Sequence, residues 1–339
     1  MARLSSSARH ALRTLVIRHR RQQSILPRQD VPDTIQKSKL SIASFREHYF
    51  LPGQPLVVEF DHPDQFPALE NWFSSDAELV APACRSAPAH RSRLHMFQQT
   101  HVPYELLYDP EDDTFHRFLS WLTQSREETH SLMADRLRAA LPRPDDHVQY
   151  PTMLHFSAEL SLLLLALEFN NISRRPLTGL YIAQASIADL PDGLARDVPT
   201  PDLVLKAGKA DIYGSSIWLG LEPTYTSFHR DPNPNLLCQL CGHKAVRMLP
   251  PESGERLFRQ VQAGLGRQGN PRIRGAEMMD GPERAAFYDA LWKEQPPGTL
   301  EAKLQPGEGL FIPLGWWHTV TSRLSTDGSL NGSVNWWFR

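Results

Sequence analysis

The second half of the chain alternates short apolar runs with turns that contain Gly or Pro, and this pattern limits the folds open to it. The runs are rich in β-branched and aromatic residues and cover residues 217–221, 236–240, 244–249, 309–313, 318–322 and 333–338. Many short strands at such spacing predict a double-sheet jelly roll or barrel. Residues 254–297 are polar and contain Gly and Pro, so we interpret them as an insertion that shapes the mouth of the barrel.

The first half mixes helical and extended patterns. A helix over residues 42–49 leads into a strand over 55–60, and further strands are expected within 95–108 and 180–185. Apolar residues at helical spacing predict helices over 114–124 and 157–169. We therefore divide the chain into a basic leader (1–35), a helical and strand region that packs on the barrel (36–175), and the barrel with its insertion (176–339).

The leader is rich in arginine and serine and has no acidic residue before Asp30. Between Arg9 and Arg21 the arginines interleave with apolar residues, so a helix there would separate a basic face from an apolar face. This composition is typical of a mitochondrial transit peptide. The alternative is a disordered basic tail on a nuclear or cytoplasmic protein.

Charge, apolar stretches and cysteine content limit the class of protein to which this chain can belong. With 36 basic and 38 acidic side chains the net charge is -2, which gives no overall electrostatic footprint for nucleic acid. No apolar stretch approaches the roughly 20 residues that a membrane span needs. The cysteines Cys84, Cys238 and Cys241 are too few for a disulfide framework. We interpret the last two as core thiols that point to opposite faces of one strand.

A candidate metal site begins with His229 and Asp231, which lie two positions apart in a β-like segment. Alternation along a strand directs both side chains to the same face. A third ligand must come from elsewhere, and His318 begins another predicted strand after a turn rich in Gly and Pro. Two histidines and one carboxylate are the ligands of non-haem Fe(II) oxygenases, which keep the other coordination positions open. The His-x-Asp pair alone is a weak signal, because short motifs occur by chance.

Three longer segments resemble the JmjC family of Fe(II)- and 2-oxoglutarate-dependent oxygenases. They are FREHYFLPGQPLVV (45–58), TSFHRDPNPNLLCQLCGHK (226–244) and PGEGLFIPLGWWH (306–318). The resemblance covers about residues 44–339 and is strongest to the small hydroxylases that consist of a JmjC domain, such as the asparaginyl hydroxylase that inhibits hypoxia-inducible factor. It implies a mainly β, cupin-like double-stranded β-helix with flanking helices. It also implies that His229, Asp231 and His318 bind iron.

The resemblance assigns the co-substrate as well. The lysine that pairs with the far carboxylate of 2-oxoglutarate falls on Lys244, and the hydroxyl groups that contact the same carboxylate fall on Thr226 and Tyr181. The amides near the co-substrate or the open positions of the iron, and an aromatic residue of the pocket, fall on Asn235, Asn335 and Trp218. For the tryptophan, a role in the core is an equal alternative.

These residues imply an enzyme that uses Fe(II), 2-oxoglutarate and O₂ to hydroxylate a side chain of a protein substrate, in mitochondria if the leader is a transit peptide. A lysine demethylase or a tRNA hydroxylase with the same site are alternatives. A non-catalytic, cupin-like metal-binding module is a third. We also expect a monomer, because the chain ends four residues after Asn335 without the helical extension by which several small family members dimerise.

Overall fold

The computed structural model describes residues 31–60, 65–74, 85–86, 92–143, 151–267, 281–322 and 328–339. Most of the predicted leader, Cys84 and residues 268–280 of the predicted insertion lie outside these ranges. Among the described helices, none is both long and apolar enough to cross a lipid bilayer.

The described strands form two principal sheets. In chain order the strands are β1 Asp33–Gln36, β2 Leu56–Glu59, β3 Phe73–Ser74, β4 Arg85–Ser86, β5 His101–Tyr108, β6 Thr152–Glu159, β7 Leu180–Ser186, β8 Ile212–Leu221, β9 Tyr225–Arg230, β10 Asn235–Cys241, β11 Lys244–Leu249, β12 Leu300–Leu304, β13 Glu308–Ile312, β14 Trp317–Thr321 and β15 Leu330–Phe338. Nine strands pair in the order β1-β2-β13-β10-β15-β8-β7-β5-β6, and four pair in the order β12-β11-β14-β9. The mainly β, double-sheet architecture that the sequence predicted is confirmed.

The helices lie on the outside of the two sheets. Helix α4 begins where the Asp112 side chain accepts a hydrogen bond from the Thr114 amide, and it buries Phe115, Phe118 and Leu122. The helices are α1 Ile42–Phe45, α2 Ala68–Asn71, α3 Arg93–Met96, α4 Asp113–Gln124, α5 Glu128–Ala140, α6 Ser161–Ile172, α7 Asp192–Ala195, α8 Asp202–Ala207, α9 Pro251–Gly264 and α10 Gly281–Tyr288. Short π-helical segments extend α1 over Arg46–Phe50 and α10 over Asp289–Glu294.

The helix predicted over residues 157–169 is partly wrong. Residues up to Glu159 belong to β6, which pairs with β5 in antiparallel register, and α6 begins only at Ser161. The leucine-rich run from Leu162 to Leu165 is buried and lies inside α6. Such a run has no polar face to set its period, so the sequence pattern extended the helix too far.

Three apolar clusters hold these layers together. The largest joins the nine-stranded sheet to helices such as α4, α5 and α6. The second lies between the two sheets and includes Leu237, Val246 and Ile312. The third covers the outer face of the four-stranded sheet, where Phe228 and Trp317 meet residues of the insertion. The described part of the insertion therefore packs behind that sheet.

The two strand cysteines lie in the main core, but not on opposite faces as the sequence predicted. The pairing of β10 with β15 shifts register between Gln239 and Cys241, which marks a bulge. Cys238 and Cys241 are both fully buried in the same cluster, and burial raises the pKa of the Cys238 thiol. The extra residue at the bulge places the Cys241 thiol on the same face of the strand as the Cys238 thiol.

Candidate metal centre

The three predicted ligands meet at the end of the four-stranded sheet. Strands β9 and β14 are antiparallel neighbours, and His229 pairs directly with His318 in their register. Asp231 follows β9, with its Oδ1 3.7 Å from His229 Nε2 and its Oδ2 3.7 Å from His318 Nε2. Two metal–ligand bonds of about 2.1 Å can span up to about 4.2 Å, so one ion can reach all three groups.

Neighbouring groups orient each ligand. His229 Nδ1 donates to the Ser227 carbonyl at 2.8 Å, which fixes the ring with Nε2 directed at Asp231. His318 Nδ1 lies 3.4 Å from the Trp316 carbonyl in the same arrangement. Burial and the nearby His229 lower the pKa of His318 to about 4, so this imidazole is neutral near pH 7. The donor set therefore fits a divalent first-row metal.

The carboxylate is fixed in the same way, because the Asn235 side-chain amide donates to Asp231 Oδ2 at 2.9 Å. This asparagine was expected near the co-substrate or the iron, and it lies beside the carboxylate ligand. Its own Oδ1 is buried and has no hydrogen-bond partner among the described residues. That oxygen can accept a hydrogen bond from a molecule in the cavity.

Residues adjacent to the ligands point out of the barrel and anchor both ligand strands. Phe228 precedes His229 and stacks against Trp317, which precedes His318, with ring centroids 5.1 Å apart. Helix α9 comes so close to this tryptophan that a Cβ on Gly254 would lie 2.2 Å from its ring. The insertion thus fixes the strands that carry the ligands.

One cavity of about 700 Å³ opens between the two sheets at the ligands. Inward-facing residues of β5, β7, β8, β10 and β15 line one wall, and residues of β9, β11 and β14 line the other. All nine residues singled out from the sequence line it, namely Tyr181, Trp218, Thr226, His229, Asp231, Asn235, Lys244, His318 and Asn335.

Lys244 provides a buried cation in this cavity. Its side chain leaves the first residue of β11, and its Nζ donates to Ser333 Oγ at 2.6 Å and to Tyr181 Oη at 3.3 Å. Burial lowers the pKa of the Lys244 ammonium to about 7, while the negative charge of Glu222 opposes the decrease. Burial raises the pKa of Tyr181, so its phenol keeps a proton that it can donate to an anion.

A second hydrogen-bonded pair fixes the opposite wall. Trp218 Nε1 donates to Asn335 Oδ1 at 2.9 Å, and the Trp218 ring packs against Tyr181 with centroids 6.0 Å apart. Both members of the pair line the cavity. The tryptophan is therefore a wall of the pocket and a support for Tyr181 at once.

Sequence patterns did not single out four further residues of the cavity: Glu105, Gln184, Arg284 and Trp337. Burial raises the pKa of the Glu105 carboxyl, and the charges of His155 and Arg284 oppose that increase. Gln184 has a φ of 56° where β7 shifts register against β8. Trp336 is fully buried in the core, so strand alternation turns its neighbour Trp337 toward the cavity. Alternation was the one sequence signal that could indicate Trp337.

The match to a family model decides what kind of domain this is. A model described as a cupin-like domain matches residues 42–339. The chain belongs to the cupin-like domain family. The resemblance to JmjC oxygenases is confirmed at the level of the family, since several relatives of this cupin-like domain carry JmjC or demethylase names.

Curated relatives match the cupin-like domain over most of its length. This chain is 23% identical over 303 residues to "Lysine-specific demethylase JMJ30" of Arabidopsis thaliana, and the match covers 89% of this chain and 54% of the relative. It is 26% identical over 301 residues to "Lysine-specific demethylase 8" of Xenopus tropicalis, and that match covers 88% of this chain and 51% of the relative. The chain thus spans about half the length of these two relatives.

Gly220 makes room for Tyr181, and a side chain there should disturb the cavity. Gly220 pairs with Tyr181 across β8 and β7, and a Cβ would lie 1.9 Å from the tyrosine ring. We expect Gly220→Ala to displace the ring from Lys244. Because the resemblance implies that Tyr181 contacts 2-oxoglutarate, the affinity for 2-oxoglutarate should fall about tenfold through the loss of one charge-assisted hydrogen bond, as measured by calorimetry.

The matched control is Gly264→Ala at the end of α9, outside the cavity, where an added Cβ would meet nothing within 4 Å. It should bind 2-oxoglutarate as the wild type does. Equal affinities in wild type and Gly220→Ala would contradict the role of Tyr181.

Proposed function

We propose that this cupin-like domain is an Fe(II)- and 2-oxoglutarate-dependent dioxygenase that hydroxylates a side chain of a protein. The observation that carries the proposal is that His229, Asp231 and His318 share one cavity with the buried Lys244 ammonium. Iron with 2-oxoglutarate and O₂ would supply an oxidant for C–H hydroxylation, and the co-substrate would leave as succinate and CO₂. The protein would supply the ligand geometry, the Lys244 charge and the cavity walls.

The far carboxylate of 2-oxoglutarate would bind at the Lys244 end of the cavity. The ammonium of Lys244 would pair with one oxygen, and the protonated phenol of Tyr181 would donate to it as well. Thr226, on β9 between the lysine and the ligands in the cavity wall, would add its hydroxyl. Ser333 then holds the ammonium from behind through its 2.6 Å hydrogen bond.

The substrate would occupy the remaining space. The cavity of about 700 Å³ is larger than a five-carbon dicarboxylate fills. Asn235 Oδ1 and Trp337 Nε1 border it and have no hydrogen-bond partner among the described residues, so both can bind polar groups of a peptide. The relatives' demethylase names support a protein substrate, and the net charge of -2 favours protein over tRNA.

Lysine demethylation is the second candidate, because five of the matching relatives carry that name. The same cavity chemistry on an N-methyl group would release formaldehyde, whereas hydroxylation of a C–H bond keeps the oxygen in the substrate. Mass spectrometry separates these outcomes, because the substrate gains one oxygen in the first case and loses a methyl group in the second.

The test is 2-oxoglutarate turnover by the purified full chain with Fe(II) and ascorbate. Wild-type protein should form succinate, His229→Ala should not, and the matched control His116→Ala should equal the wild type, because His116 is an exposed residue of α4 outside the cavity. If the wild type formed no succinate and also failed to bind iron and 2-oxoglutarate, a non-catalytic metal-binding module would replace the enzyme.

For location we propose mitochondria, and the support is the composition of the leader. Residues 1–35 fused to a fluorescent protein should direct it to mitochondria. Exchange of Arg13, Arg18, Arg20 and Arg21 for Gln should abolish the import, because it removes the basic face. Nuclear or cytosolic fluorescence of the unaltered fusion would contradict the proposal.

A further inference from the structure

Behind Lys244 the barrel contains a group of buried polar residues that the proposed chemistry does not use. Glu222, Gln239 and Asn331 are 4%, 0% and 0% exposed. Asn331 Nδ2 donates to Glu222 Oε1 at 2.8 Å, and Gln239 Nε2 donates to Asn331 Oδ1 at 3.1 Å. A buried carboxylate is costly unless a positive charge or hydrogen bonds compensate it, so its place in the fold needs a reason.

The group is joined to Lys244 through the chain and through β15. The same Asn331 Nδ2 also donates to the carbonyl of His243, the residue before Lys244, at 3.0 Å. Two positions further along β15, Ser333 accepts a hydrogen bond from the Lys244 ammonium. Alternation places Asn331 and Ser333 on one face of β15. Neighbouring inward positions of this strand therefore bind the Glu222 carboxylate and the Lys244 ammonium.

The turn before Lys244 is shaped around the carboxylate. Gly242 has a φ of 68°, and a Cβ there would lie 2.6 Å from Asn331 Nδ2 and 3.0 Å from Glu222 Oε1. The Glu222 amide donates to the Ser329 carbonyl at 2.8 Å, which anchors the residue at the end of β8. The position of the carboxylate beside the start of β11 is therefore built into the backbone.

We propose that Glu222 is a positioning residue that keeps the Lys244 ammonium charged in the empty cavity, and that it thereby sets the upper pH limit for 2-oxoglutarate binding. This inference rests on the proposed function. A neutral amine cannot pair with the far carboxylate, so the co-substrate must meet a lysine that is already protonated or draw a proton with it.

Other charged groups around Lys244 act differently. Tyr181 on β7 faces the ammonium directly but stays neutral, because burial raises its pKa. The metal ligands on or after β9 and β14, and Glu105 on β5 with Arg284 on α10, also border the cavity. Only Glu222 among the described residues raises the pKa of Lys244, which burial lowers to about 7.

The experiment measures the dissociation constant of 2-oxoglutarate from pH 6 to pH 9, with saturating Mn(II) and without O₂. In the wild type the constant should be flat at low pH and rise about tenfold per unit above a break near pH 7. In Glu222→Gln, which can still accept from Asn331, the break should move to lower pH. At pH 8 the variant should then bind about tenfold more weakly for each unit of that shift.

Two further variants control for a structural effect. Glu222→Asp keeps the charge and should keep a break near that of the wild type. Glu301→Gln removes another buried carboxylate, which pairs with Arg247 at 2.6 Å and is absent from the cavity lining, and it should not move the break. A uniform loss of affinity at all pH values in Glu222→Gln, or an unchanged break, would overturn the role of Glu222.

A second readout does not depend on the co-substrate. The chain has seven lysines, so the ¹³Cε resonance of Lys244 can be assigned with Lys244→Arg and titrated in the empty protein. Its midpoint should be lower in Glu222→Gln than in the wild type, and equal midpoints would overturn the inference. If the midpoints differ but the wild type never binds 2-oxoglutarate, the proposed function is rejected while the effect of Glu222 on Lys244 stands.

Discussion

Asp231→Ala should lose metal binding and turnover together. The carboxylate lies 3.7 Å from the Nε2 atoms of both His229 and His318, so its removal deprives an ion of the one anionic ligand of the cluster. Changes to groups that only support a ligand cost 10- to 100-fold in metal affinity, so we expect at least a hundredfold loss, or about 2.7 kcal/mol or more. Calorimetry with Fe(II) under argon measures the affinity, and succinate formation measures turnover.

Two controls distinguish the ligand from its surroundings. Asn235→Ala removes the 2.9 Å hydrogen bond to Asp231 but leaves the ligands, so it should lose 10- to 100-fold in affinity. Asp202→Ala removes an exposed carboxylate that pairs with Lys206 on α8 and should have no effect. Unchanged Fe(II) affinity in Asp231→Ala would rule out this metal site.

Lys244→Met should abolish tight co-substrate binding while it stabilises the empty protein. The far carboxylate of 2-oxoglutarate would lose its charge partner, and a charge-assisted hydrogen bond in a buried site is worth about 2 to 3 kcal/mol, so affinity should fall about a hundredfold. Methionine has similar length and no charge to bury. Burial lowers the pKa of Lys244 to about 7 even with Glu222 nearby, so the ammonium is disfavoured on balance and its removal should raise the free energy of unfolding by about 1 kcal/mol.

The gain in stability should depend on pH. The pKa of this lysine is about 7 in the folded protein and about 10.4 in an unfolded chain, so the unfolded state binds the proton more tightly. The full penalty of the wild type is present below pH 7 and disappears as the pH rises toward 10, and the advantage of Lys244→Met should disappear with it. Denaturant titrations at pH 6 and pH 9 measure this difference.

Lys303→Met is the matched control, because its side chain is 78% exposed on the neighbouring strand β12. It should change neither the 2-oxoglutarate affinity nor the pH dependence of stability. A Lys244→Met protein that bound 2-oxoglutarate normally would show that another group receives the far carboxylate.

The sequence could predict that the three candidate ligands lie together, because their positions follow local rules. His229 and Asp231 share a face through strand alternation. His318 lies at the start of a strand, and a turn rich in Gly and Pro precedes that strand in the sequence. Strands β10, β11, β13, β14 and β15 were placed to within a few residues for the same reason. Family resemblance then supplied Lys244, Tyr181 and Thr226, which composition alone would not have distinguished.

What the sequence could not predict depends on contacts between distant segments. Glu105 comes from a strand that joins the sheet at its far side, and Arg284 reaches the cavity from the insertion. The bulge at Gln239 brought two cysteines to one side, and no local pattern signals such a bulge. Glu222 reads as an ordinary loop residue, because its importance arises only when β15 places Asn331 beside it.

The insertion helices packed behind β9 and β14 have a consequence for how the sequence of this domain can vary. Phe228 and Trp317 are next to the histidine ligands in the chain but belong to the cluster formed with α9 and α10. A substitution in those helices can tilt a ligand strand without touching the cavity. Sequence change at the back of the sheet is therefore constrained by the candidate metal centre at its front, and the ligand geometry can be kept or lost through residues that lie outside the cavity.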